Sequence, residues 1–219
     1  MITEFFSSGN EYVNELFSVI HKKIDPGFKP EKILDFGCGP GRLVIPFSRI
    51  AHEVLGIDVS QDMINEAKKN CLKYNAINTS FLVSDDNLHC IKNQHFDLVN
   101  AFIVLQHINI KRGEKLIQLL IESIKDKGIG VLHLTYHDHY PYRGIVNYFR
   151  YRIPFLSIVM RFFRSTVTGK KFKNLPLMQM NNYNLNRIFY LLQRTNIKEV
   201  YSTFTNHYNY WGVILYFRK

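Results

Sequence analysis

The segment Ile33-Leu34-Asp35-Phe36-Gly37-Cys38-Gly39-Pro40-Gly41 constrains this chain more than any other. An apolar strand pattern runs directly into three glycines at alternate positions, and a helical pattern follows. A turn this tight lays backbone against a ligand, where a Cβ would clash, so glycine is required at those sites. The pattern predicts a strand over 32–36, a ligand-binding turn, and a helix over 41–51, which together open an α/β sheet.

The remaining sequence continues that alternation. Strands are expected over 53–58, 80–84, 96–102 and 130–136, and helices over 60–74, capped by Ser60, and over 110–125. After a region that breaks the rhythm, a helix over 185–195 precedes two strands, 198–205 and 210–217, which alternate like an antiparallel pair. Near the N-terminus, Phe5, Tyr12, Val13, Leu16, Phe17 and Ile20 repeat at a helical period over 5–24, before Asp25-Pro26-Gly27 breaks the chain. Strands alternating with helices predict a parallel sheet covered on both faces. The expected fold is therefore α/β and Rossmann-like: a seven-stranded, mostly parallel sheet with helices on both faces and a terminal antiparallel strand.

Length and composition agree with one folded domain over 1–219. With 46% hydrophobic and 21% charged residues, the chain is neither disordered nor membranous. Cys38, Cys71 and Cys90 have no ligand-like spacing, so a reducing compartment is expected rather than a disulfide framework. No signal peptide is visible, and the apolar stretch 153–163 is about half a membrane span and is interrupted by Arg161. The expected location is cytoplasmic.

Several strand ends carry polar groups. Asp58 ends the second strand about 20 residues past Gly37, where a carboxylate can accept hydrogen bonds from a ribose diol. Asp85 and Asp86 end the third, and Asn100, Ala101 and Phe102 the fourth. Four strand ends thus converge on one crevice, the expected ligand position in an open α/β sheet. NAD enzymes use a related glycine turn, but here the spacing is G-x-G-x-G, with Asp35 two residues earlier. An acid at that position disfavours a pyrophosphate and suits a ligand carrying an amine and a sulfonium.

Taken in order, ILDFGCGPG, GIDVS, FLVSDD, FDLVNAFIVLQHI and KDKGIGVLHLTY resemble the class I S-adenosylmethionine (SAM)-dependent methyltransferase superfamily, from about Glu31 to Tyr136. The resemblance is nearest to small-molecule enzymes with a VLQHI segment after the fourth strand. It implies that Asp35, Gly37, Cys38, Gly39 and Gly41 surround the methionine part of SAM. It also implies that Asp58 binds the ribose, Val59 and Met63 flank the adenine, Asp85 meets the adenine amine with Asp86 close by, and Phe102 lines the pocket near the sulfonium. Where the family often has Pro-Gly-Gly before its fifth strand, this chain has Lys127-Gly128-Ile129-Gly130, a tolerable change in a turn. By the same resemblance, 1–30 forms a helical lid, 31–136 the SAM-binding core, 137–180 an acceptor-recognition insertion between strands 5 and 6, and 181–219 a closing helix and strand pair.

Methyl transfer from a sulfonium is an in-line displacement, and a hydroxyl acceptor gains from a general base, typically ~10²–10⁴-fold. His107, just past the fourth strand, is the candidate base, set against a packing role on the next helix. Tyr12, Tyr136, His137, His139 and Arg143 are candidate acceptor contacts. His133, His137 and His139 lack a completing cysteine or carboxylate, so no metal is assigned.

The net charge is +10, and between His137 and Asn174 eight basic residues face Asp138 alone. That concentration suggests an anionic partner: a small acceptor clamped by arginines, an anionic membrane met peripherally through 140–175, or RNA. A solvated cover with snorkelling stems competes with all three. The function read from the sequence is methyl transfer from SAM to a small anionic metabolite, at a hydroxyl of a sugar or glycan precursor. Two rivals remain open: an RNA methyltransferase, disfavoured by the absence of an N-P-P-Y-type segment after strand four, and a non-catalytic SAM-binding partner protein.

Overall fold

The computed structural model describes residues 2–138, 180–207 and 210–219. Its one sheet has seven strands: β1 (Lys32–Phe36), β2 (Glu53–Asp58), β3 (Thr79–Val83), β4 (Phe96–Ala101), β5 (Ile124–Asp138), β6 (Val200–His207) and β7 (Tyr210–Arg218). They lie in the order β3-β2-β1-β4-β5-β7-β6. The first five are parallel, and β7 inserts antiparallel between β5 and β6. The order reverses between β1 and β4, so their carboxyl ends open a crevice at the switch point.

Among the described residues, five helices cover the sheet: α1 (Ile2–Lys23), α2 (Val44–Ser48), α3 (Gln61–Lys73), α4 (Ile110–Glu122) and α5 (Leu185–Arg194). Side chains alternate across the strands with period two, and the core divides accordingly. Leu34, Val99, Leu132 and Leu215 join α4 and α5 in one cluster, while Ile33, Leu98, Val131 and Ile214 join α1 and α2 in the other. In α1, Val13, Leu16, Phe17 and Ile20 are all buried, which contributes about 1.5–3 kcal/mol each.

Several expected elements differ in extent. The helix expected over 41–51 is only Val44–Ser48, because 41–43 belong to the glycine turn and Ser48 Oγ donates to the Ile45 carbonyl at its other end. The helix expected over 110–125 stops at Glu122, and the strand expected over 130–136 begins at Ile124. The cause is pairing: Phe96 sits opposite Ile124, and Lys125 Nζ bonds Asp97 Oδ1 at 2.8 Å. Most of the insertion, with its basic and aromatic residues, lies outside the described residues.

Candidate active site

The glycine turn follows β1 directly. Gly37 and Gly39 have φ of 71° and 52°, which side-chain-bearing residues rarely adopt. A Cβ on Gly37 would collide with Val104, whereas one on Gly39 would project into open space, where backbone can face a ligand. The turn is pinned to β2 by Gly37 N and Cys38 N donating to the Ile57 carbonyl, at 2.8 and 3.0 Å. Asp58 completes the fastening: its Oδ2 accepts from Gly39 N at 3.0 Å and its Oδ1 from Ser60 N at 2.9 Å. Ser60 in turn caps α3 through Met63 N. Cys38 is buried, and desolvation pushes its thiol well above the ordinary range, so it serves this turn through its backbone.

Beside the turn lies a cleft of about 210 Å³ whose walls include Gly37, Asp58, Val59, Asp85, His107 and Arg112. Val59 leaves 68% of its surface exposed, and Met63 also remains open, so two apolar side chains stand uncovered near the acidic strand end. Asp85 is already engaged: its carboxylate accepts from His89 Nδ1 at 2.7 Å and from Asn87 N at 2.8 Å, and these bonds hold it at a pKa of about 2. Asp86 pairs with Arg112, and Asn87 Oδ1 accepts from Lys115 Nζ. The loop after β3 is therefore tied to α4 across the cleft.

On the α1 side of the glycines lies a buried polar chain. Tyr12 Oη donates to Asn100 Oδ1 at 2.9 Å, and Asn100 Nδ2 donates to Asp35 Oδ1 at 2.8 Å. Desolvation raises the Asp35 carboxyl to about 7, against the opposing pull of the Asn100 bond and of the nearby Arg42. Tyr12 stacks on Phe102 with ring centroids 3.8 Å apart, and the Arg42 guanidinium lies over both Phe102 and Phe5. The N-terminal helix thus covers the Asp35 end of the crevice.

The strand ends on the far side are joined by a strap that closes the insertion. Asn181 N donates to the Gln106 carbonyl at 2.8 Å, and Tyr183 Oη to the Leu105 and Ile108 carbonyls at 2.9 and 3.1 Å. Thr135 Oγ1 donates to the Asn181 carbonyl. Residues 180–183 therefore lie against the 3-10 turn Leu105–His107, and the insertion returns to the sheet beside His107.

Gly37, Asp58, Val59, Asp85, Asp86 and His107 line the cleft; Asp35, Tyr12 and Phe102 lie on the α1 side of the glycines, Gly41 abuts Ala67 of α3, and Met63 stands exposed on that helix. Tyr136 packs instead with the α4 cluster, 6.4 Å from the Phe204 ring, while Tyr12 belongs to the α1 cluster; the sheet separates the two expected acceptor contacts. His137 is exposed opposite Trp211. His133 is fully buried and shares a hydrogen bond with Thr205 Oγ1 at 2.9 Å. His139 and Arg143 lie outside the described residues. Sequence reasoning missed Arg42, Gln106 and Tyr183. Arg42 had a signal, its place directly after the glycines; Tyr183 had none, because its partners are backbone carbonyls some 75 residues away.

An open sheet with a glycine turn and two acidic strand ends at its switch point defines a Rossmann-like ligand-binding domain. Residues 33–128 match the family model described as a methyltransferase domain, and solved SAM-dependent methyltransferases share the fold. A ubiquinone biosynthesis O-methyltransferase of Rhodopseudomonas palustris is 35% identical over 82 residues, covering 36% of this chain and 30% of that protein. The chain spans under half the length of the curated relatives it matches. Among solved structures, magnesium protoporphyrin IX methyltransferase from Synechocystis PCC 6803 with bound S-adenosylhomocysteine (SAH) has a TM-score of 0.67 at 17% identity, covering 100% of this chain and 87% of that one. The N-terminal domain of EvdMO1, solved in the presence of SAH and D-fucose, has a TM-score of 0.63 at 12% identity, covering 96% and 82%. These two share the fold.

Proposed function

We propose that this chain transfers a methyl group from SAM to a hydroxyl of a small acceptor, a sugar or glycan precursor bearing negative charge. The observation that carries the reading is the pairing of Asp35 and Asp58, on adjacent strand ends, around a turn whose Gly39 faces open space. SAM carries an ammonium and a sulfonium that suit the buried carboxylate of Asp35 and a ribose diol that suits the half-buried one of Asp58, so the residues present fit it. When bound, SAM supplies an electrophilic methyl group.

The chain's own residues then do three things. Asp58 and the glycine backbone hold the nucleoside and orient it; Val59 and Met63 offer apolar surface to the base, and Asp85 and Asp86 stand at its far edge. Tyr12 and Phe102 wall the opposite end, excluding water from the line of displacement. His107 takes the proton of the acceptor hydroxyl as the oxygen attacks. A hydroxyl acceptor is favoured by the O-methyltransferase relative, and a sugar by the neighbour solved with D-fucose. The basic residues between His137 and Asn174 favour an anionic group on it.

Calorimetric titration with SAH tests the cofactor reading: binding in the micromolar range that is lost in Asp58→Ala is expected, and no binding to either protein would overturn it. A screen of sugar nucleotides, glycolipids and carboxylic acids for SAM turnover tests the acceptor. In His107→Ala, kcat at saturating SAM is expected to fall ~10²–10⁴-fold.

A further inference from the structure

Asp85 follows β3 and lines the cleft, and its two carboxylate oxygens carry different loads. Oδ1 accepts from the backbone amides of Asn87 and His89, at 2.8 and 3.2 Å. Those two bonds use both lone pairs of that oxygen and cap the loop. Holding the loop therefore asks nothing of Oδ2. Yet Oδ2 has a partner of its own, His89 Nδ1 at 2.7 Å. The His89 bond, ahead of the Asn87 one, keeps Asp85 ionised down to a pKa of about 2, so at neutral pH the carboxylate can only accept and Nδ1 carries the proton. One lone pair is left, on Oδ2, and the two bonded oxygens fix where it points. The neighbouring acid is placed differently. Asp86 pairs with Arg112 of α4, whose guanidinium also lines the cleft. Of the two acids after β3, Asp85 is thus the one with no arginine or lysine paired to it among the described residues.

We infer that His89 is a positioning residue: by holding Asp85 Oδ2 it aims the remaining lone pair at the exocyclic amine of the cofactor's purine, and it makes the cleft select a 6-amino over a 6-oxo purine nucleoside. The inference rests on the reading of the cleft as the SAM site. A 6-oxo purine presents a carbonyl oxygen where adenine presents an amine, so a fixed carboxylate meets it lone pair to lone pair. A carboxylate free to turn away escapes that repulsion, and the selection then weakens. Discrimination therefore depends on the bond from His89 and not on the presence of an acid alone. The His89 ring acts through Asp85: it lines not this cleft but a second cavity, between the same loop and the C-terminal half of α4. Its side chain is 63% exposed, and its backbone bond to Oδ1 does not involve the ring, so variants at 89 keep the cap of the loop.

Calorimetric titration with SAH and with S-inosylhomocysteine, its 6-oxo counterpart, tests this. The parent protein is expected to favour SAH. In His89→Ala, SAH should bind about tenfold more weakly while the inosyl compound binds as in the parent or tighter, so the preference falls about tenfold or more. His89→Asn keeps a donor nitrogen near the place of Nδ1 and should recover the preference. An unchanged preference in His89→Ala, an equal loss of affinity for both nucleosides, or no recovery in His89→Asn overturns the inference. Asp85→Asn separates it from the cofactor reading: the amide can donate to a 6-oxo group, so the preference should invert. If SAH binds the parent and its preference survives in Asp85→Asn, the purine does not meet Asp85, and the inference falls while the cofactor reading stands. If neither nucleoside binds the parent, both fall.

Discussion

Burial of Asp35 beneath Tyr12 gives one carboxyl a titration measurable in solution. In the folded protein it keeps its proton up to about 7, chiefly through desolvation, whereas an unfolded chain releases it near 3.8. Between those values the folded state binds more protons, so the unliganded protein loses stability as pH rises from about 4 to about 7. Asp35→Asn should abolish that slope, which denaturant midpoints at pH 5 and 7.5 will show; an equal slope in both proteins would mean another group carries it. A cationic ligand beside Asp35 favours the carboxylate, so SAM affinity should rise over the same interval in the parent and stay flat in the Asn variant. Asp35 and Asp58 were legible in the sequence because their distance from the glycines fixes their place at strand ends. Asn100 was legible as a strand-end residue, but its bonds to Tyr12 and Asp35 span 88 and 65 residues of chain.

At the scale of the element, α1 shows how a helix is held against the segment that follows the glycine turn. Its first turns lie so close to the residue after the glycines that a Cβ on Gly9 would overlap the Arg42 carbonyl. Arg42 Nη1 donates to Ser8 Oγ at 3.3 Å, Arg49 Nη1 to Asn10 Oδ1 at 3.1 Å, and the Arg42 guanidinium lies over Phe5 and Phe102. Gly9→Val should therefore lift the N-terminal turns, at a cost of about 1–3 kcal/mol if the overlap is relieved by backbone shifts. Denaturant midpoints measure the loss, and limited proteolysis should cut first within 2–10. Unchanged stability would show that the close approach is not kept in solution. The helical period of α1 was plain from its apolar spacing. That Gly9 is a contact point was not, because a glycine inside a helical pattern looks the same whether it faces solvent or a neighbouring carbonyl.

Across the whole molecule, the C-terminal residues serve the site from a distance. Tyr183 lies against Gly113 of α4 and donates to two carbonyls flanking the turn that carries Gln106 and His107. Tyr183→Phe keeps the ring and removes the donor, so a loss of about 0.5–1.5 kcal/mol is expected from the hydrogen bond. Thermal denaturation measures that loss. Because the turn would loosen, kcat should fall more than KM rises; a stability loss with unaltered kcat would separate the strap from the chemistry. The antiparallel β7 lies between β5 and β6 and packs Phe217 over Gly130, which brings chain ends far apart in sequence into one sheet. The sequence by itself determined the alternating elements, the glycine turn and the acids at its strand ends, because each is written in local periodicity and short spacing. Only the tertiary structure decided that Tyr12 closes over Asp35 while Tyr136 faces the other side of the sheet, and that Gln106 lies buried against His107. Those outcomes depend on which surfaces meet across long stretches of chain, and burial, which sets the proton on Asp35, exists only once they have met.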